Sequence, residues 1–215
     1  MTSKTSFSWD AYNKAPIVGI IRGESIDIVR EIAKSYIAAE LFTIEITMNT
    51  KDADKIITML RTEFPNLNVG AGTVCNINDY EKAVEAGSQF IVTPIIDEVV
   101  IKKAVSDNIP IFPGGYSPTE IYKAWNLGAS VVKIFPATLL GPTYVKDVLA
   151  PLNKIKLLPT GGVNKDNIKS FFAAGATGVG MGSSLLNKQL IKERNFDGLT
   201  EYFKNIKSEI QEYIK

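Results

Sequence analysis

The sequence predicts an α/β protein of the (β/α)8 TIM-barrel class, a single domain over residues 1–215. Three observations predict it. Short runs rich in Val, Ile, Thr and Phe alternate with longer amphipathic segments to the end of the chain. The runs number eight, each followed by a helical pattern, which is the barrel's count. Glycine-rich turns follow several late runs while no GxGxxG follows the first, which weighs against a doubly wound open sheet, the main alternative.

In order, strands are expected near residues 16–21, 43–47, 68–73, 89–94, 109–113, 130–135, 156–160 and 178–182. Segments such as "SIDIVREIAKSYIAAE" and "TKDADKIITMLRTEF" carry apolar residues at three- and four-residue spacing and read as helices. An extra helical segment precedes the first strand. The tail "NFDGLTEYFKNIKSEIQEYIK" sets Phe196, Leu199, Phe203, Ile206 and Ile210 on one face, an amphipathic helix that packs on the body. At 215 residues the chain is short for a barrel, so its loops should be tight. No low-complexity linker or domain boundary is visible.

Composition narrows the chemistry. With 24 basic and 23 acidic side chains the formal charge is +1, so bulk electrostatics favour neither nucleic acid nor an anionic membrane. No apolar run approaches the roughly 18 residues of a membrane helix, and "MTSKTSFSWD" has no signal-peptide core. The single cysteine, Cys75, excludes an internal disulfide and fits a reducing cytoplasm. There is no histidine, which excludes Ser-His-Asp chemistry and zinc catalysis with His ligands. Proton transfer must fall to Glu, Asp, Lys, Tyr or water.

A barrel carries its chemistry at the C-terminal ends of its strands. In the sixth predicted strand, "SVVKIF", period two puts Val131, Lys133 and Phe135 on the inward face. A desolvated lysine has a lowered pKa and a neutral amine able to attack a carbonyl. The structural alternative is a lysine that snorkels to the rim or serves an ion pair. In the second, "TIEIT", Thr43, Glu45 and Thr47 face inward. Both strands are even-numbered, and one interior layer draws on alternate strands, so Glu45 and Lys133 can converge. They are candidates for a catalytic pair, or for a buried ion pair kept for structure.

Strands seven and eight end in "LLPTGGV" and "GVGMGSSL". Gly161 and Gly162 admit a ligand close to backbone N–H groups, with a helix expected from about Asp166. Gly182 and Ser183 are expected to open another helix, whose N-terminus favours an anion. These loops are the common phosphate site of the fold; the alternative is that the glycines only make turns. Of four arginines, Arg30, Arg61 and Arg194 fall in helical patterns, and Arg22 alone stands at a strand end. It suits a substrate carboxylate, or a surface ion pair with Glu24. Thr73, closing "GAGT", offers a further hydrogen bond or a helix cap. Cys75 reads as a small helix-entry residue, and Trp9 and Trp125 as packing residues.

The segments "GIIRG", "IEITMNT", "VGAGTV", "FIVTPIID", "FPGGYSPTE", "GASVVKIFPA", "LPTGGV" and "GMGSSL" closely resemble the 2-keto-3-deoxy-6-phosphogluconate / 4-hydroxy-2-oxoglutarate aldolase family of class I aldolases. "VKIFPA" with "IEIT" upstream is specific to it; "GAGTV" and "TGGV" are shared by many phosphate-binding barrels. The resemblance implies Lys133 as Schiff-base lysine, Glu45 as proton shuttle, Thr73 near the pyruvyl group, and Gly161, Gly162, Gly182 and Ser183 on the phosphate. It implies a phosphorylated 2-keto-3-deoxy sugar acid and pyruvate as ligands, no cofactor or metal, and a homotrimer. Gluconate-cleaving members carry arginine in "VTLRT" where Asn49 stands here. The 6-phosphogalactonate branch has asparagine there with an "LRG"-type arginine, as Arg22 stands here, yet Thr47 keeps the gluconate-like "IEIT". The motif is mixed, and galactonate stays open as the substrate beside gluconate. An epimerase or isomerase on the same barrel, or a non-catalytic phosphosugar-binding barrel, are the more distant readings.

Overall fold

In the structure, a computed structural model that describes residues 6–214, the chain begins with the expected extra helix. The first five residues of the tract read for a signal peptide, and Lys215, lie outside that range. Helix α1 (Trp9–Lys14) starts at Ser8, whose side chain accepts the Ala11 N–H. Asn68 ties Ser8 down from both sides, accepting its N–H at 2.8 Å and donating to its carbonyl at 2.8 Å.

Strands β1 (Ile17–Ile21), β2 (Thr43–Thr47), β3 (Asn68–Gly72) and β4 (Ile91–Val92) follow, each with its helix: α2 (Ile26–Ala38), α3 (Ala53–Glu63), α4 (Ile77–Glu85) and α5 (Glu98–Ser106). The predicted fifth strand becomes two short pieces, β5 (Ile111–Phe112) and β6 (Gly114–Gly115). Pro113 separates them and has no N–H to give a ladder. After them come α6 (Pro118–Asn126), β7 (Val132–Ile134), α7 (Gly141–Leu149), β8 (Leu157–Pro159), α8 (Ile168–Ala173), β9 (Val179–Met181), α9 (Lys188–Lys192) and α10 (Phe196–Ser208). Helix α6 begins in a full capping box between Ser117 and Glu120, with proline in its first turn. Arg194 lies in the left-handed turn between α9 and α10, outside the helix its sequence context suggested.

All described strand pairs are parallel. They form a curled six-stranded sheet, β5-β4-β3-β2-β1-β9, and a three-stranded one, β6-β7-β8, in place of one continuous ladder of eight. Ser130 and Lys133 N–H groups bond the Ile111 and Pro113 carbonyls on one side. The Thr160–Gly180 bridge joins the sheets on the other.

Two cores result. Between sheet and helices lie Ile44, Ile46, Val132, Ile134 and the buried helix faces. The second core sits on the inward face, where Val18, Phe90, Val92, Phe112, Val131 and Leu158 pack with Phe7 and Tyr12 from the N-terminal segment. That end is therefore dry and aromatic, with Phe7 and Phe90 ring centroids 5.2 Å apart. Trp9 and Trp125 pack against these cores, as expected. Towards the C-terminal ends the inward side chains turn polar: Glu45, Thr47, Lys133 and Thr160. Helix α10 closes the fold against α2, burying Leu199, Phe203 and Ile206, with Phe203 edge-on to Tyr36. Among the described residues no helix is long and apolar enough to cross a membrane.

Candidate active site

The alternation of β2 and β7 delivers Glu45 and Lys133 inward, and both are almost wholly buried, at 1% and 5% exposure. A snorkelling lysine is excluded at that burial. The two groups act on each other electrostatically, and each departs from its ordinary value towards the neutral form. Burial pushes the Lys133 amine down, with the Glu45 carboxylate opposing and the Arg22 guanidinium reinforcing the fall. Burial pushes the Glu45 carboxyl up, against the pull of Lys133 and Arg22. The Lys133 ammonium position also lies 4.6 Å from the centre of the Phe135 ring.

Glu45 Oε2 is buried and has no hydrogen-bond partner among the described residues. An orphaned buried acceptor costs about 1–3 kcal/mol, so Glu45 is poorly explained as a stabilising element. A buried amine of lowered pKa beside a carboxyl of raised pKa is suited to carbonyl attack and to proton transfer at carbon and oxygen. Among the described residues no group of three or more His, Cys, Asp or Glu is placed to hold a metal ion.

Beside this pair lies a cavity of about 350 Å³. Arg22, Gly161, Gly162, Gly182 and Ser183 all line it, so the structure brings five of the sequence candidates together. Phe135 lines it too, which joins the cavity to Lys133. Gly162 has φ of 75°, and a Cβ there would meet the Thr138 backbone at 2.9 Å, so glycine is required where the chain borders the cavity. The Gly162 carbonyl is held by the Asn167 amide at 2.9 Å, and the Ser184 hydroxyl bonds the Val163 carbonyl, which locks the two loops together.

Several expectations are corrected. Gly182 and Ser183 open a single hydrogen-bonded turn, from the Leu185 and Leu186 N–H groups to the Gly182 carbonyl, and helix α9 begins only at Lys188. Helix α8 starts at Ile168, two residues after the expected Asp166. Both changes leave donor-rich loops, rather than long helices, facing the cavity. Glu24 lines the cavity with Arg22, and among the described ion pairs none joins them.

Thr73 stands just beyond β3 with φ of 58°, an outlier for a β-branched residue and the kind of strain found at functional sites. It is not the cap of α4, because Asn76 fills that role, accepting the Asp79 N–H at 2.9 Å. Asn49 is exposed on the turn after β2 and is not among the cavity-lining residues. The Cys75 thiol is pushed up by burial, which argues against a nucleophile. Sequence reasoning missed Thr160, Gly180 and Lys188, which also line the cavity. A lysine in a polar helix start carries no signal of its own; only the return of the chain to the β9 end places it.

A family model described as KDPG and KHG aldolase matches residues 10–202. A 2-dehydro-3-deoxy-phosphogluconate aldolase of Treponema pallidum is 31% identical over 193 residues, covering 89% of this chain and 92% of that protein. A 2-dehydro-3-deoxy-6-phosphogalactonate aldolase of Escherichia coli is 30% identical over 200 residues, covering 92% and 98%. Among solved structures, a KDPG aldolase of Legionella pneumophila with pyruvate captured as a covalent carbinolamine superposes with a TM-score of 0.85 at 26% identity, covering 92% of this chain and 96% of that one.

Proposed function

The chain belongs to the KDPG and KHG aldolase family of carbon–carbon lyases, and from that premise we propose that it cleaves 2-keto-3-deoxy-6-phosphogluconate to pyruvate and glyceraldehyde 3-phosphate through a Schiff base on Lys133. The observation that carries this reading is the buried Glu45–Lys133 pair, both shifted towards neutrality, next to Phe135 and Arg22 of a glycine-lined cavity.

Neutral Lys133 attacks the C2 ketone to give a carbinolamine. Protonated Glu45 donates to its hydroxyl, water leaves, and a cationic imine forms. Glu45, now a carboxylate, takes the C4 hydroxyl proton while the C3–C4 pair flows into the imine. The aldehyde departs and leaves the neutral enamine. Glu45 returns that proton to C3, and water, activated by the same carboxylate, hydrolyses the imine to pyruvate. Arg22 pairs with the substrate carboxylate, and Thr73 hydrogen-bonds near the pyruvyl group. The N–H groups about Gly161, Gly162, Gly182 and Ser183 take the phosphate, with Lys188 adding charge at the rim.

The supporting scaffold is a closed (β/α)8 barrel in one domain, with β5 and β6 as one strand interrupted at Pro113. The hydrogen bonds that tie the two sheets at both sides support it. Exposed Ile95, Val99, Tyr116, Tyr122 and Leu139 offer apolar surface to further copies, in keeping with a homotrimer, and the enzyme is read as cytoplasmic. A second reading, 6-phosphogalactonate cleavage, is favoured by Arg22 on the cavity and by the near-equal identity of the galactonate enzyme. Asn49 is kept as a substrate-binding candidate in either reading, from the exposed turn after β2 rather than from the cavity wall.

The experiment is coupled detection of pyruvate from the gluconate and galactonate substrates and from 4-hydroxy-2-oxoglutarate. Highest kcat/KM on the gluconate substrate is expected. Preference for galactonate promotes the second reading, and no pyruvate from any of them overturns the proposal.

A further inference from the structure

We propose that Thr50 is a positioning residue whose buried hydroxyl clamps the Arg22–Gly23 segment to the end of β2 and so sets where the guanidinium meets an anionic substrate. The inference rests on the reading of Arg22 as the carboxylate-binding residue.

The β1–β2 ladder ends at the pairing of Ile21 with Ile46. Beyond it Arg22 leaves the sheet, and its side chain is exposed at the cavity rim. The next N–H, of Gly23, donates to Thr50 Oγ1 at 3.1 Å. Thr50 and Thr47 share a hydroxyl–hydroxyl bond of 3.0 Å. The Thr50 N–H bonds the Thr47 carbonyl at 2.8 Å. Thr50 is 6% exposed and Thr47 fully buried, so the two hydroxyls satisfy each other away from bulk water.

A hydroxyl has one proton and two lone pairs, which is enough to accept from Gly23 and to share a bond with Thr47 at once. The string therefore runs from the strand that carries Glu45, through Thr47 and Thr50, to the backbone beside Arg22. It extends the β1–β2 pairing past the point where main-chain bonds stop. Arginine brings about 2 kcal/mol of rotamer freedom to any contact, and fixing the backbone from which it springs limits the volume it must search. Sequence alone hides this device, because a threonine after a strand reads as an ordinary turn residue.

The test compares Thr50→Val, which keeps shape and removes the hydroxyl, with Thr50→Ser, which keeps the hydroxyl. Each is made in the wild-type and in the Arg22→Gln background. Thr50→Val is expected to raise KM for the 2-keto-3-deoxy sugar acid about tenfold, the size of one charge-linked hydrogen bond, with kcat little changed. Thr50→Ser should restore the wild-type KM. In the Arg22→Gln background Thr50→Val should add nothing, since the group it positions is gone. An unchanged KM in folded Thr50→Val overturns the proposal, as does an equal rise without Arg22. If Thr50→Val does not fold, Thr50→Ala carries the same comparison. A wild-type enzyme that releases no pyruvate overturns the aldolase reading itself, and this inference with it; the two failures are thus distinct.

Discussion

Gly72 lacks a side chain at the place where the Glu45 carboxyl lies: a Cβ built there would overlap Oε1 and Cδ. Gly72 is paired in register with Thr47 across β2 and β3, one inward position beyond Glu45. The carboxyl thus leans across the neighbouring strand, towards the C-terminal opening. The Glu45 carboxyl can occupy this place because β3 carries a glycine there.

Gly72→Ala is therefore expected to displace the carboxyl without removing it. Turnover should fall about a hundredfold, the scale of an ångström-sized misplacement, while pyruvate still forms an imine on Lys133. Steady-state kinetics and reductive trapping on one preparation check this. Wild-type kcat in the alanine variant would mean that Glu45 does not act from this position.

Glu45→Gln should slow turnover by roughly 10²–10⁴-fold, the range of a general acid–base group, and leave imine formation possible. A normal rate would remove Glu45 from the mechanism.

The pH profile of pyruvate trapping by cyanoborohydride should shift in opposite senses in two variants. Trapping needs the neutral amine, so its acid limb follows the Lys133 pKa, already lowered by burial. The Glu45 carboxylate favours the ammonium. Removing it in Glu45→Gln lowers the lysine further and moves the limb to lower pH. The Arg22 guanidinium disfavours the ammonium, so Arg22→Gln raises the lysine and moves the limb to higher pH. Shifts of the same sign would contradict the arrangement.

Anion recognition should separate phosphorylated from unphosphorylated substrates. Gly162→Ala must move the loop away from Thr138. It should raise KM for the phosphorylated substrate at least tenfold, the value of a lost hydrogen bond to a charged group, and leave 4-hydroxy-2-oxoglutarate little affected. Lys188 is exposed, so Lys188→Gln should cost only about fivefold, and less at high salt. Equal losses on both substrates would place these residues elsewhere in the mechanism.

Much of this arrangement is legible in the sequence because strand alternation is a rigid rule. Once "TIEIT" and "SVVKIF" are strands, Glu45 and Lys133 must face inward, and they do. The fifth strand is less legible. Its break comes from one missing N–H at Pro113, and no pattern of hydrophobicity reports a single hydrogen bond. The turn at Gly182 resembled a helix start because glycine and serine favour both; only the hydrogen bonds of Leu185 and Leu186 separate the two. Glu45 over Gly72 and Thr50 under Gly23 depend on register between strands distant in sequence, which composition and spacing do not carry. Lys188 reaches the cavity for the same reason.

In the proposed mechanism Lys133 is buried in order to be a nucleophile. The most direct test is intact mass after incubation with pyruvate and borohydride, followed by peptide mapping, on the wild type and on Lys133→Ala. A reduced pyruvyl adduct on the peptide containing Lys133, absent from the variant along with turnover, is the expected result. No adduct in the folded wild type beside a competent control, or near wild-type turnover in Lys133→Ala, would contradict it and leave Lys133 as the buried partner of Glu45 alone.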